Sequence, residues 1–140
     1  MAAQPYLLAF DGYWREPNKG GIPAESGIYC VFSCVHNVAE KTVTLNKLIY
    51  TGESDDVNAR VANHEKLSDW QKHIKQGEVL CYGFSPVPSS YRIRCEAAMI
   101  FKHKPPKNTE YTQAFPFDQT TLSLTGKTRL LYTSFTIQRQ

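Results

Sequence analysis

In its 140 residues the chain has no long apolar run, no Cys-x-x-Cys pair, no internal repeat and no low-complexity stretch. Each absence removes a class of function. A bilayer-crossing helix needs about 20 consecutive apolar residues, and nothing here approaches that length, so no membrane partner is expected. Tyr6-Leu7-Leu8-Ala9-Phe10 is short, follows no basic segment and runs into Asp11, which is unlike a secretory signal. Cytoplasmic placement is the expectation. The four cysteines, at 30, 34, 81 and 95, lack the spacing and the companion histidines of a structural zinc site. They are expected to be reduced core thiols. Strong charge of either sign is missing too: 16 Lys and Arg against 13 Asp and Glu leave +3 at pH 7. That balance suits a polyanionic partner without requiring one.

What is present is the composition of a folded domain, 41% hydrophobic and 21% charged, at a length that suits one domain over 1–140. Residues 1–26 are rich in turn formers and aromatics and read as a strapped-down arm. Gly27 to Val35 reads as a strand apolar on both alternating faces, so the sheet is expected to be covered on both sides. A long hairpin connection over 37–46 leads to a returning strand, Lys47 to Thr51. Asp55 is positioned to cap a helix over roughly 56–65, whose three-and-four spacing puts Val57, Arg60, Val61 and His64 on one face. A second helix over 67–75, capped by Ser68, would stop at Gly77. A third strand over 78–87 precedes a helix opened by Ser89 or Ser90 and ended by Pro105. Leu122 to Leu124 and Thr128 to Ile137 read as a hairpin turned at Thr125-Gly126-Lys127.

Gly27-Ile28-Tyr29 is followed by Tyr50-Thr51-Gly52, and Arg60 lies eight positions past the second tripeptide. His64 follows, Glu96 sits on the last helix, and Asn108 comes twelve positions later within Lys104-Pro105-Pro106-Lys107-Asn108. Taken together, in this order and spacing, these residues resemble the GIY-YIG nuclease family over about 27–108. The resemblance implies an α/β (α+β) fold, a small, mostly antiparallel three-stranded sheet flanked by helices; the C-terminal β-hairpin belongs to an extension over 109–140 that lies outside the match. It also implies hydrolysis of DNA phosphodiester bonds with one divalent cation, Mg2+ or Mn2+.

By that resemblance Glu96 would hold the cation and Arg60 would face the phosphate, its planar fork matching two oxygens. Tyr29 is the preferred base, with Tyr50 and His64 as assistants. A phenol of pKa about 10 is ionised in only about one molecule in a thousand at pH 7, a deficit of about 4 kcal/mol that Arg60 and the metal must offset. A histidine of pKa near 6.5 is chemically the easier base, and geometry decides between them. Asn108 would fix the loop beside Glu96 or touch phosphate. Lys104 and Lys107 would grip the backbone, as would Lys66, Arg92, Arg94 and Lys102. With no separate recognition module, target choice would rest on loops, terminal arms, a second copy or a protein partner.

Each residue alone has a plainer explanation: Tyr29 and Tyr50 as strand packing, Arg60 as a snorkelling side chain, Arg92 as a surface partner of Glu96, Asn108 as a turn residue. Two rival functions follow. An inactive nucleic-acid-binding module of the same fold is suggested by Glu53, an acid following Tyr50-Thr51-Gly52 where it would repel phosphate. A protein-interaction domain with an incidental motif would leave Tyr29, Arg60 and Glu96 on different surfaces.

Overall fold

The computed structural model describes residues 4–140. In chain order these form β1 (Tyr6–Arg15), a 3₁₀ turn (Glu16–Gly21), β2 (Gly27–Asn37), β3 (Thr42–Ser54), α1 (Val57–Ala62), α2 (Leu67–Gln71), β4 (Val79–Pro86), α3 (Arg92–His103), β5 (Thr120–Gly126) and β6 (Ser134–Ile137). The fold is mixed α and β. Its sheet has six strands in the order β3-β2-β4-β1-β5-β6, not three. Neighbours are antiparallel except β1 and β5, which run parallel.

Within the expected arm over 1–26, Tyr6–Arg15 is a strand, and residues 1–3 lie outside the described residues. Leu8 and Phe10 are 1% and 4% exposed while Leu7 is 70% exposed, the alternation of a half-buried strand. Asp11 and Gly12, which read as a turn, lie at a register shift between Gly12 and Trp14, and pairing with β4 resumes at Trp14. Because β1 lies between β4 and β5, it joins the C-terminal hairpin to the motif-bearing strands. That hairpin pairs Thr120 with Ile137 and has a longer connection than the expected turn at 125–127. There the Lys127 N–H bonds to the Phe10 carbonyl at 2.9 Å, holding the end of β5 on β1.

Residues 27–34 of β2 are all buried, so both sheet faces are covered, as the double-sided apolar pattern implied. One face carries Ile28, Cys30, Phe32 and Cys34 against Cys95, Ala97 and Met99 of α3. The other carries Tyr29 and Val31 against Val57, Val61 and Trp70 from α1 and α2. All four cysteines are buried free thiols, and burial pushes Cys30 and Cys95 up to about 12, so neither is a nucleophile near neutral pH. Among the described residues no helix is long and apolar enough to cross a membrane.

The helices are shorter than their sequence signals. Asp56, not Asp55, caps α1, its carboxylate accepting from the Ala59 N–H at 3.0 Å. Asn63 leaves helical geometry, so His64 stands beyond the helix. In α2, Lys66 occupies the cap position instead of Ser68, and the helix stops at Gln71. Tyr91, rather than Ser89 or Ser90, precedes α3, which closes on Lys104 in the left-handed region at φ 47 before Pro105.

Candidate active site

The two motif glycines are fixed by close approach. A Cβ on Gly27 would lie 2.2 Å from the Ser85 carbonyl oxygen, so only glycine lets β2 start against β4 at that spot. A Cβ on Gly52 would lie 2.4 Å from both Cζ and Oη of Tyr29. The space where a side chain of β3 would stand is therefore filled by the tyrosine of β2. That packing holds the phenol oxygen at the end of the sheet.

A cleft of about 290 Å³ opens there, lined by Tyr29, Tyr50, Arg60, Glu96, Lys107 and Asn108, together with Glu53, Lys66 and Glu110. Tyr29, Arg60 and Glu96 thus share one surface, contrary to what an incidental motif would give. The tyrosine rings of β2 and β3 lie with centroids 6.2 Å apart.

His64 does not line the cleft but stands behind Tyr29, its Nε2 2.7 Å from the phenol oxygen. Its tautomer follows from the opposite nitrogen. Nδ1 faces the Lys66 backbone N–H at 3.1 Å, a fixed donor, so Nδ1 is the acceptor and Nε2 carries the proton. His64 therefore donates to Tyr29 Oη, and the phenol proton is left to point elsewhere. Trp70 packs on the imidazole with centroids 4.3 Å apart. Burial, reinforced by the Arg60 charge, pushes His64 down to about 4, so the ring is neutral at pH 7. Burial and then the neighbouring Tyr50 raise Tyr29 well above an ordinary phenol, against a lowering from Arg60. Burial and the Glu96 charge also raise Tyr50.

Glu96 is pushed up to about 8, first by burial and then by the charges of Glu53 and Glu110, against a lowering backbone hydrogen bond from Glu53. A carboxyl in that state is relieved by positive charge, which suits a hard cation. Among the described residues no group of three or more His, Cys, Asp or Glu is arranged to hold a metal ion. A cation resting on this one carboxylate would complete its shell with water and substrate oxygens, as magnesium commonly does.

Two cationic side chains near the cleft are already engaged. Arg60 makes a two-pronged contact with Glu65, at 2.5 and 2.7 Å. Arg92 pairs with Glu53, not with Glu96, and donates to Ser26 Oγ at 2.8 Å. Glu53 is thereby held by a counter-charge on α3, which blunts the repulsion its position suggested. Asn108 clamps the backbone of Thr51, accepting from its N–H at 2.9 Å and donating to its carbonyl at 2.8 Å. Lys107 N–H bonds to the Ile49 carbonyl at 3.1 Å, so residues 107 and 108 fasten onto the outer edge of β3.

Lys104 is not brought to the cleft. Its ammonium bonds to the Thr112 carbonyl and lies 4.0 Å from the Phe101 ring centroid. Arg94 and Lys102 are likewise turned away, over Phe117 and Tyr132. Sequence reasoning missed Glu65 and Glu110. Neither carries a spacing signal: Glu65 lies in the irregular segment after α1, and Glu110 in the loop after α3. No family model, curated protein or solved structure matches the chain.

Proposed function

We propose that the chain is a divalent-cation-dependent endonuclease that hydrolyses DNA phosphodiester bonds in the manner of GIY-YIG nucleases. The observation that carries this reading is the shared cleft of Tyr29, Tyr50, Arg60 and Glu96, drawn from β2, β3, α1 and α3. Their chemistry is complementary: a phenol for proton transfer, a guanidinium for the phosphate, a carboxylate for a cation.

Magnesium or manganese at Glu96 would supply Lewis-acid counter-charge for the phosphate and the departing oxygen. Arg60 leaves Glu65 and turns its fork onto two phosphate oxygens. Lys66 and Lys107, on the cleft wall, add counter-charge. Tyr29, ionised in the loaded site, takes a proton from the attacking water as the new phosphorus–oxygen bond forms and the opposite one breaks. His64 is a positioning residue: its Nε2–H donates to the phenol oxygen and favours the phenolate. Its only lone pair is taken by Lys66 N–H, so it is not the base. The raised Tyr29 makes the deficit larger than the roughly 4 kcal/mol of an ordinary phenol at pH 7. Offsetting it falls to Arg60 and the bound cation.

A second reading, an inactive DNA-binding module, is favoured by the closed Arg60–Glu65 pair. Supercoiled plasmid incubated with each protein separates the two. Nicking that needs Mg2+ or Mn2+, stops in EDTA and is lost in both Glu96→Gln and Tyr29→Phe supports hydrolysis. Nicking that survives in both variants, or none from the intact chain with either metal, refutes it.

A further inference from the structure

The cleft that carries the chemistry is a poor electrostatic lure. Its cations Arg60, Lys66 and Lys107 are matched by Glu53, Glu96 and Glu110 in the same wall. Arg60 is moreover already paired with Glu65, so the cleft holds little uncompensated positive charge, and the phosphate backbone is drawn mainly by uncompensated cations.

Uncompensated cations gather elsewhere. A larger cleft, of about 690 Å³, is lined by Arg15, His36, Lys41, Lys127 and Arg129, and no carboxylate lines it. Among the described residues none of these four lysines and arginines is in an ion pair. They come from three places: the end of β1, the β2–β3 turn and the β5–β6 connection. The fold fixes those segments. Lys41 takes the left-handed conformation at φ 57, with its N–H bonded to the Val38 carbonyl at 3.3 Å. The Arg129 N–H donates to Tyr13 Oη at 3.2 Å, tying the β5–β6 connection down beside β1.

We infer that this basic cleft is a second DNA-binding site, holding the phosphate backbone of duplex DNA outside the Tyr29–Glu96 cleft. The duplex as occupant rests on the proposed nuclease activity; the affinity for a polyanion rests on the cleft alone. The two clefts lie toward opposite ends of β2, His36 being seven residues from Tyr29, about 23 Å at the strand rise. Segments outside the motif thus supply Arg15, Lys127 and Arg129 to this second site.

The test is binding of a labelled 20-base-pair duplex in EDTA, across a salt series, so that cleavage plays no part. Lys41→Asn, Lys127→Gln and Arg129→Gln are combined; all three positions are exposed, and asparagine tolerates the backbone at 41. At about 0.9 per lost phosphate contact, the slope of log affinity against log salt should shrink by about 2 to 3. Affinity near 0.1 M salt should fall at least tenfold. A comparison variant, Lys47→Gln with Lys72→Gln and Lys75→Gln, should bind nearly as the parent does. Unchanged slope in the cleft variant, an equal loss in the comparison variant, or tighter binding to anionic phospholipid vesicles than to duplex would overturn the proposal. Retained duplex binding with lost nicking in Glu96→Gln reports on the nuclease reading separately.

Discussion

Replacing Glu96 with glutamine removes a titrating group from the cleft while keeping its size, and the raised carboxyl makes the consequence calculable. The folded protein holds this group at about 8, against 4.5 for an ordinary glutamate. Folding therefore favours the protonated form. The contribution is fully present below about pH 4.5 and is lost as pH rises toward 8, because the unfolded chain ionises first. At pH 7 the 2.5 units above 4.5 correspond to about 3 kcal/mol as a ceiling. The carboxyl borders an open cleft, so solvent screening reduces the expected cost to about 1–2 kcal/mol. Glutamine escapes it. Without metal, Glu96→Gln should match the parent's stability near pH 4.5 and exceed it by about 1–2 kcal/mol at pH 7, about 3–6 °C in Tm. Metal should close that gap, because a cation stabilises the ionised carboxylate of the parent and finds none in the variant. Its apparent affinity for the parent should fall about tenfold per unit of pH below 8, since each ion must displace a proton. Thermal melts from pH 4.5 to 9, with and without 10 mM Mg2+, read all of this. Parallel stability curves for the two proteins across that range would refute a carboxyl held protonated by its surroundings.

Glu65→Gln should release Arg60 for substrate and lower KM for plasmid DNA several-fold with little change in kcat; a KM equal to the parent's would show that the pair is no obstacle. Gly52→Ala should cost about 2–4 kcal/mol in denaturant unfolding and abolish nicking, because its Cβ would lie 2.4 Å from the Tyr29 phenol. Asn108→Ala should cost about 1–3 kcal/mol by removing both hydrogen bonds to Thr51, with backbone exchange at 51 rising; wild-type protection there would deny the clamp.

How far the sequence could be read depended on whether a feature is local. The double-sided apolar run of β2 reports packing of its own neighbours, and that strand appears close to its expected bounds. β1 showed no alternation in sequence, since Tyr6-Leu7-Leu8-Ala9-Phe10 is apolar throughout, and Asp11-Gly12 read as turn formers, because an irregularity inside a strand and a turn use the same residues. The motif glycines are a different case. Their tripeptides were visible, while the reason for them, Tyr29 standing in the Gly52 gap and Ser85 pressing on Gly27, exists only after β2, β3 and β4 pair. The ion pairs were hidden for a similar reason. Arg92 has Glu96 one helical turn away, yet it reaches across to Glu53 on β3.

Charge placement carries the same argument to the whole surface. Arg15, Lys41, Lys127 and Arg129 form no basic run, and the chain's +3 net charge conceals them. Only the insertion of β1 between β4 and β5 brings the ends of three distant segments together. The motif and the basic cleft then divide two requirements that conflict in one place. A site that raises a carboxyl and must accept a cation gains from surrounding acids, whereas a site that captures a polyanion loses by them. Putting the acids at one end of β2 and the unpaired cations at the other lets a single small sheet meet both.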